Sequence, residues 1–349
     1  MRLPDHPPRF PLFMGDLCSR VVNHNWVMKS ISSCVSCLVA CLLVWLMVPL
    51  AAHAQFLGNN LGGDAGLMAA TQPDPGTYFV PLYIGYRGDT LRDRDGNVIA
   101  YDPERLGSLD VNAYGIGIWW VSDKKVLGGN YSLMVAPAWT NNKFEAPILG
   151  LVERVPTGFT DLYVQPINLG WHNERADYSA GIGIYAPTGR YHPDADDNLG
   201  LGMWTLELFA GGTWYLDEAR SWSFSTLAAY EIHGEKKHTD IRVGDILTLE
   251  GGLGKSFMDG ALSVGVAYYA QWKITDDDFG GELDLLPGLI GKNRGFGAGP
   301  EISLPLATKK NLWGFLSLRY LWEFGVRNSV EGNMFVATLS FPLGGIPLE

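Results

Sequence analysis

Apolar and polar side chains alternate along residues 203–234 in two arms separated by five mostly polar residues. In the first arm, Trp204, Leu208 and Trp214 share one parity, whereas Glu207 lies on the other. A period of two residues with a short polar interruption predicts an antiparallel β-hairpin. Tryptophans at both ends of the apolar face, with smaller residues between them, are typical of a strand that crosses a bilayer between two aromatic girdles.

The same alternation recurs along most of the chain and predicts twelve strands. Their predicted bounds are residues 77–87, 109–121, 130–140, 159–171, 178–186, 203–216, 222–234, 246–255, 261–273, 296–304, 312–324 and 333–341. Pro166 interrupts the fourth of these strands, and a proline inside a strand predicts a bulge.

The lengths of the predicted connections alternate as well. Connections after even strands are mostly short, such as N-E-R-A and D-E-A-R-S, whereas those after odd strands are longer. Outer-membrane barrels have short periplasmic turns, long extracellular loops and an even number of strands. The sequence therefore predicts an all-β fold, a transmembrane antiparallel β-barrel of about 12 strands over residues 76–349. It also predicts a location in the bacterial outer membrane.

The N-terminal part of the chain contains a predicted export signal. Met28-Lys29 precedes an apolar run over residues 31–50, and Ala52-His53-Ala54 supplies a small-residue cleavage site. This order predicts a secretory signal peptide over residues 28–54, preceded by an N-terminal extension over residues 1–27. A retained transmembrane helix is the alternative for the apolar run. Residues 55–75 are predicted to form a short periplasmic leader, or to lie in a pore mouth.

Composition narrows the range of functions. The formal net charge is −11, which argues against nucleic-acid binding. All four cysteines precede residue 55, so the mature chain offers no disulfide framework and no cysteine metal site. No metal and no cofactor are expected.

Several short motifs have a chemical interpretation beside a structural one. Asp93 and Asp95 resemble part of a calcium loop but also fit a turn, and the run 276–278 fits either a divalent-ion site or a solvated loop. His172 is interpreted as an interfacial side chain. An enzyme is not expected, because Ser225 and His233 are eight residues apart along one strand, too far to form a hydrogen bond.

The inner face of the predicted barrel carries the charged candidates. If the apolar parity of each strand faces lipid, charged residues fall on the parity that faces the lumen. The predicted lumen-lining residues are Arg87, Glu207, Glu231, Glu250, Glu301, Arg319 and Glu323. Such charges either line an open passage or link the strands inside a plugged barrel, and the sequence leaves both alternatives open.

A family resemblance rests on several segments spread over most of residues 76–343. They are L-R-D-R-D-G-N, V-S-D-K-K-V-L-G-G-N-Y, G-W-H, A-P-T-G-R-Y with a later N-L-G, and G-K-N-R-G-F-G-A-G-P. The chain resembles the outer-membrane β-barrel family known as phenol meta-pathway degradation proteins, which includes a barrel that secretes functional-amyloid subunits. The resemblance implies no catalytic residues.

The sequence thus predicts a channel or transporter for small solutes, with aromatic or hydrophobic compounds suggested by the resemblance. The alternatives are an export barrel for a secreted amyloid-like polypeptide and a structural outer-membrane barrel. Expected partners are outer-membrane lipid, lipopolysaccharide, the barrel-assembly machinery and a small-molecule solute. Whether the protein forms a homo-oligomer is left open.

Overall fold

The computed structural model describes residues 57–98, 108–146, 151–193, 195, 197–258, 262–280, 292–308, 311–343 and 346–347. The predicted signal peptide and the extension before it lie outside the described residues. The strands are β1 (Gly76–Arg92), β2 (Ser108–Val126), β3 (Gly129–Ala136), β4 (Ala138–Ala146), β5 (Leu151–Phe159), β6 (Leu162–His172), β7 (Ala176–Ala186), β8 (Thr205–Tyr215), β9 (Trp222–His233), β10 (Ile246–Phe257), β11 (Leu262–Lys273), β12 (Arg294–Ala307), β13 (Asn311–Arg327), β14 (Ser329–Pro342) and β15 (Ile346–Pro347).

Two pairs of these strands act as single wall strands. Strands β3 and β4 both pair with β2. Pro137 separates them, because proline cannot donate a hydrogen bond to the ladder and interrupts it locally. Thr160 and Asp161 lie between β5 and β6, and these two strands pair with β4 and β3, respectively. Apart from the short β15, the strands therefore make twelve wall strands.

The sheet closes on itself through β1. Tyr83 lies opposite Ala337 of β14 on one side and opposite Tyr114 of β2 on the other. Every wall strand runs antiparallel to its neighbours. Closure satisfies the backbone groups that an open edge would expose to lipid. The predicted twelve-stranded barrel is confirmed, and so is the bulge at Pro166, where the β6–β7 register shifts between Val164 and Ile167. Within the described ranges, no helix is long and apolar enough to span a membrane.

Two connections are shorter than predicted. Residues 325–332, expected to be a loop, reduce to a turn at Asn328, whose φ is 50°. Residues 141–146 and 151–158, expected to be loop, extend the wall as β4 and β5. The alternation of apolar and polar residues does not reveal this extension, because strand segments outside the hydrocarbon layer need no apolar face.

Aromatic side chains form two belts on the outer face. Trp214 and Trp222 lie next to the short β8–β9 turn, whereas Trp204, Trp272 and Trp322 lie toward the long-loop end. Trp204 and Trp322 are 60% and 53% exposed. Such belts mark the two membrane interfaces, so the barrel spans the outer membrane between them.

The direction of insertion is tested by cysteine labelling, since the predicted mature chain has no cysteine. Asp276 lies in a long connection with a side chain 81% exposed, and Glu218 lies in a short turn with a side chain 94% exposed. If long loops are extracellular, a membrane-impermeant maleimide labels Asp276→Cys in whole cells and labels Glu218→Cys only after lysis. The reverse pattern would show that the topology is inverted.

Candidate functional site

Residues 57–75, called the plug below, run inside the barrel. A single 3-10 turn at Gly66–Met68 is their regular element. Leu67 is 3% exposed and Ala70 is fully buried. Because this segment forms no strand and only one 3-10 turn, most of its backbone N–H groups need acceptors from the wall.

Carboxylates of the inner wall supply those acceptors. Oε1 of Glu231 accepts from the N–H groups of Asn59 at 2.9 Å and Asn60 at 3.0 Å. The side chain of Asn60 donates to Oε2 of Glu207 at 3.4 Å. Because Glu207 and Glu231 lie directly opposite each other on β8 and β9, the two acids form one clamp around the start of the plug.

A second clamp holds the middle of the plug. Glu250 accepts from the N–H of Gly63 at 2.7 Å, and Glu301 accepts from the N–H of Leu67 at 3.1 Å. Arg319 lies 3.3 Å from Glu301 and donates to the carbonyl of Gly63 at 3.0 Å. Hydrogen bonds to charged groups are each worth about 1.5–3 kcal/mol, so the two clamps together stabilise the plug in its position inside the barrel.

The end of the plug is fixed near the short-turn end of the barrel. Thr71 donates to the buried carboxylate of Asp177 at 3.2 Å, and Gln72 donates to Ser132 at 2.8 Å. Asp177 also accepts from Tyr215 at 2.5 Å and lies 3.2 Å from His172. His172, predicted to be an interfacial side chain, is thus part of the network that anchors the plug.

Apolar packing complements these polar clamps. Ile84, Tyr269, Leu321, Met334 and Val336 form a buried cluster on the inner wall together with Ala267. Gly63 lies against this cluster with φ +85°, and a Cβ added there would meet Leu321 Cδ1 at 2.6 Å. A glycine is required at this position for both its backbone conformation and its lack of volume.

The connections β7–β8, β9–β10 and β11–β12 pack together at the long-loop end of the barrel. Lys273 and Asp277 form an ion pair at 2.8 Å with both side chains 2% exposed. Lys236 donates to the carbonyl of Leu201 at 2.9 Å, and burial lowers the pKa of Lys236 to about 8, with Asp161 opposing the shift. This structure assigns Asp277 to an ion pair inside the loop cluster, not to a solvated loop or a divalent-ion site.

Six of the seven predicted lumen residues lie on the inner face. Glu207, Glu231, Glu250, Glu301 and Arg319 contact the plug as described above, and Glu323 accepts from the hydroxyls of Tyr86 and Tyr269.

The prediction for Arg87 is wrong. Its side chain is 74% exposed and lies 3.7 Å from Asp110. The apolar parity of β1, with Ile84, faces the plug, so Arg87 faces outward. The prediction assumed that the apolar parity of each strand faces lipid, whereas on β1 the inner face is apolar too.

The periplasmic location predicted for the leader also needs correction. The hydrogen bonds of Asn59, Gly63 and Thr71 place the described part of residues 55–75 inside the barrel. The reason is chemical: the inward acids Glu231, Glu250 and Glu301 each accept from backbone N–H groups of this segment.

The remaining motifs have structural roles. The Asp93 carboxylate accepts from the side-chain amide of Asn97 at 3.1 Å and from the backbone N–H groups of Asp95 and Asn97, both at 2.8 Å; these bonds lower its pKa, the side-chain bond most. The calcium-like motif is therefore a turn closed by its own backbone. Ser225 donates to the carbonyl of Leu67, whereas His233 contacts the carbonyl of Gly244. The described residues contain no cluster of three or more potential metal ligands.

Sequence reasoning missed the residues on the plug side. Asn59, Asn60 and Gly63 carry the contacts, yet the plug has no periodicity that would identify it. The signal that was present is its composition, G-N-N-L-G-G-D-A-G, since small and amide side chains suit a backbone that must approach the wall closely.

Comparisons with known proteins agree with the barrel architecture. The COG4313 outer membrane channel from Pseudomonas putida F1 superposes with a TM-score of 0.63 and 16% identity, covering 78% of this chain and 97% of that chain. A FadL homologue from Pseudomonas aeruginosa has a TM-score of 0.40 and 8% identity, with 77% and 90% covered. The toluene transporter TodX from Pseudomonas putida has a TM-score of 0.37 and 9% identity, with 77% and 89% covered. The last two scores are too low to support more than a general likeness between barrels.

Sequence comparison identifies the family. No curated protein sequence matches the chain. A family model described as "Putative MetA-pathway of phenol degradation" matches residues 88–339, which include every wall strand from β2 to β13 and most of β14. The chain therefore belongs to this family of outer-membrane β-barrel proteins.

Proposed function

We propose that the protein is a channel for small solutes, including aromatic ones, and that the plug is its gate. The observation that carries the proposal is the pairing of a short, irregular segment with inward carboxylates on β8, β9, β10 and β12. A permanent filling of the barrel would be expected to use apolar packing, because buried charges are costly to bring together. Ionisable clamps instead leave a hydrated, polar path once the segment moves.

Three further observations support a small solute. The family description refers to phenol degradation, and the TM-score of 0.63 is to a protein described as an outer membrane channel. The inner wall also carries aromatic side chains beside the clamps, Tyr269 and Tyr163. A passage with both aromatic faces and carboxylates suits neutral or cationic molecules with an aromatic ring.

Export of a polypeptide is the less favoured function. It would require displacement of the whole plug, which is bonded at Asn59, Gly63, Leu67 and Thr71. A small solute needs only a local rearrangement at one clamp. Enzymatic activity is not proposed, because Ser225 and His233 are bonded to different backbone carbonyls.

The function is tested by solute uptake into liposomes that contain the mature protein. Phenyl glucoside and methyl glucoside are suitable probes, because both are uncharged and cross bilayers poorly while only the first carries an aromatic ring. We expect both to enter faster than into protein-free liposomes, with phenyl glucoside favoured. Uptake equal to that of protein-free liposomes for both probes would contradict a channel function.

A further inference from the structure

A groove of about 970 Å³ lies on the wall near the long-loop end. Its residues come from β13, β14, β1, β2, β4 and β5, and we call it the outer groove. Its floor contains Tyr83, Tyr320 and Phe335. Tyr320 and Phe335 are each 38% exposed. Tyr83 packs against Phe335 with their ring centroids 6.3 Å apart. Their neighbours in sequence, Ile84, Leu321 and Met334, face the plug, so this floor faces the membrane.

Three cationic side chains border the groove: Arg87, Lys143 and Arg154. Lys143 and Arg154 lie opposite each other on β4 and β5, and Lys143 also lies opposite Asp110 of β2. Arg87 is loosely paired with Asp110, and Lys143 contacts Glu145. Arg154 interacts electrostatically with Glu145, so the border holds three cations against two carboxylates, Asp110 and Glu145.

The vertical order of these groups matches a lipid. Arg87 is four residues further toward the long-loop end than Tyr83, or about 13 Å along the strand. Tyrosines mark the membrane interface, so Tyr83 and Tyr320 lie where the acyl chains meet the headgroups, and the cations lie outward of them, on the headgroup side. Amide groups lie between them, with Asn112 donating to Asn141 at 3.0 Å and accepting from Tyr83 at 2.8 Å.

We propose that the outer groove is a binding site for the phosphorylated headgroup of an outer-leaflet glycolipid, the lipid A part of lipopolysaccharide. The phosphate contacts Arg154 and Arg87, because guanidinium groups bind phosphate through paired N–H donors. The sugar hydroxyls face Asn112 and Asn141, and an acyl chain lies on Phe335 and Tyr320. This site is independent of the plug, which contacts the other face of the same wall.

The test uses protein refolded from a lipid-free denatured state, examined by native mass spectrometry with added lipids. The probes are bisphosphorylated lipid A, dephosphorylated lipid A and phosphatidylglycerol. We expect the wild-type protein to bind bisphosphorylated lipid A most tightly. The double variant Arg87→Gln/Arg154→Gln should lower that affinity about a hundredfold, because two charged hydrogen bonds are lost and each accounts for about tenfold.

Arg294→Gln is the matched control. Arg294 is also an outward arginine at the long-loop end, but it lies over Phe296 and donates to Gly325, away from the groove. This variant should bind lipid A like wild type, and heat-dependent gel migration verifies that all variants are folded. The proposal is overturned if dephosphorylated lipid A or phosphatidylglycerol binds as tightly, if the double variant binds like wild type, or if Arg294→Gln weakens binding equally.

Discussion

Deletion of residues 57–74 should raise the single-channel conductance of the protein in planar bilayers by about tenfold, because ion flow scales with the open cross-section of a barrel of this size. The wall strands form their ladders without the plug, since the hydrogen-bonded closure runs through β1, β2 and β14. Removal of the plug leaves the inward acids without their N–H donors. Water entering the lumen then hydrates them, so the deleted protein should prefer cations.

The charge dependence provides the control for this experiment. In the deleted protein, Glu231→Gln should reduce the cation preference while leaving the conductance of the same order. Glu231 suits this test because it accepts two plug N–H bonds in the intact chain and faces only the lumen once the plug is removed. A folded deletion variant with unchanged conductance would show that residues 57–74 do not block the passage.

Leu208→Arg should lower the free energy of unfolding in lipid bilayers by about 2–4 kcal/mol, the cost of an arginine at the bilayer midplane. Leu208 is 43% exposed on the outer face, midway between Trp204 and Trp214, whereas the adjacent Glu207 is 4% exposed on the inner face. Denaturant titrations in bilayers measure the difference.

Two control variants separate the effects of charge and of depth in the membrane from the effect of a changed side-chain shape. Leu208→Met keeps an apolar side chain of similar volume and should be nearly neutral. Trp204→Arg introduces the same charge at the interface, where it should cost about 0–1 kcal/mol. If Leu208→Arg were no more destabilising than Trp204→Arg, Leu208 would not lie at the membrane midplane.

The sequence predicted the wall well, because lipid imposes a regular demand on it. On and just before β8 the predicted outward residues Trp204 and Leu208 and the inward residue Glu207 lie as expected, and so does the inward Glu231 of β9. Alternation is strict there because one face contacts lipid and the other contacts polar plug backbone.

The interior was predicted less well for a physical reason. Beside β1, β13 and β14 inward wall residues form an apolar cluster against the plug, so both faces of β1 are apolar and hydrophobicity alone no longer distinguishes inside from outside. Arg87 was misplaced on that account. The plug itself escaped prediction because its structure is set by wall carboxylates distant in sequence, such as Glu250, and not by any local pattern.

The central claim, a solute channel gated by the plug, is tested most directly by tethering the plug reversibly to the wall. Asn59 Oδ1 accepts from Thr205 Oγ1 at 2.7 Å, so cysteines at both positions can be joined by a short disulfide-forming bridge. Uptake of phenyl glucoside is then measured on the same proteoliposomes before and after reduction. We predict that the bridge lowers uptake about tenfold, to near the protein-free level, and that reduction restores it. The reason is that solute entry requires the plug to move away from the wall and to break the hydrogen bonds of one clamp. Equal uptake in the bridged and reduced states, at a rate above that of protein-free liposomes, would contradict gating by the plug.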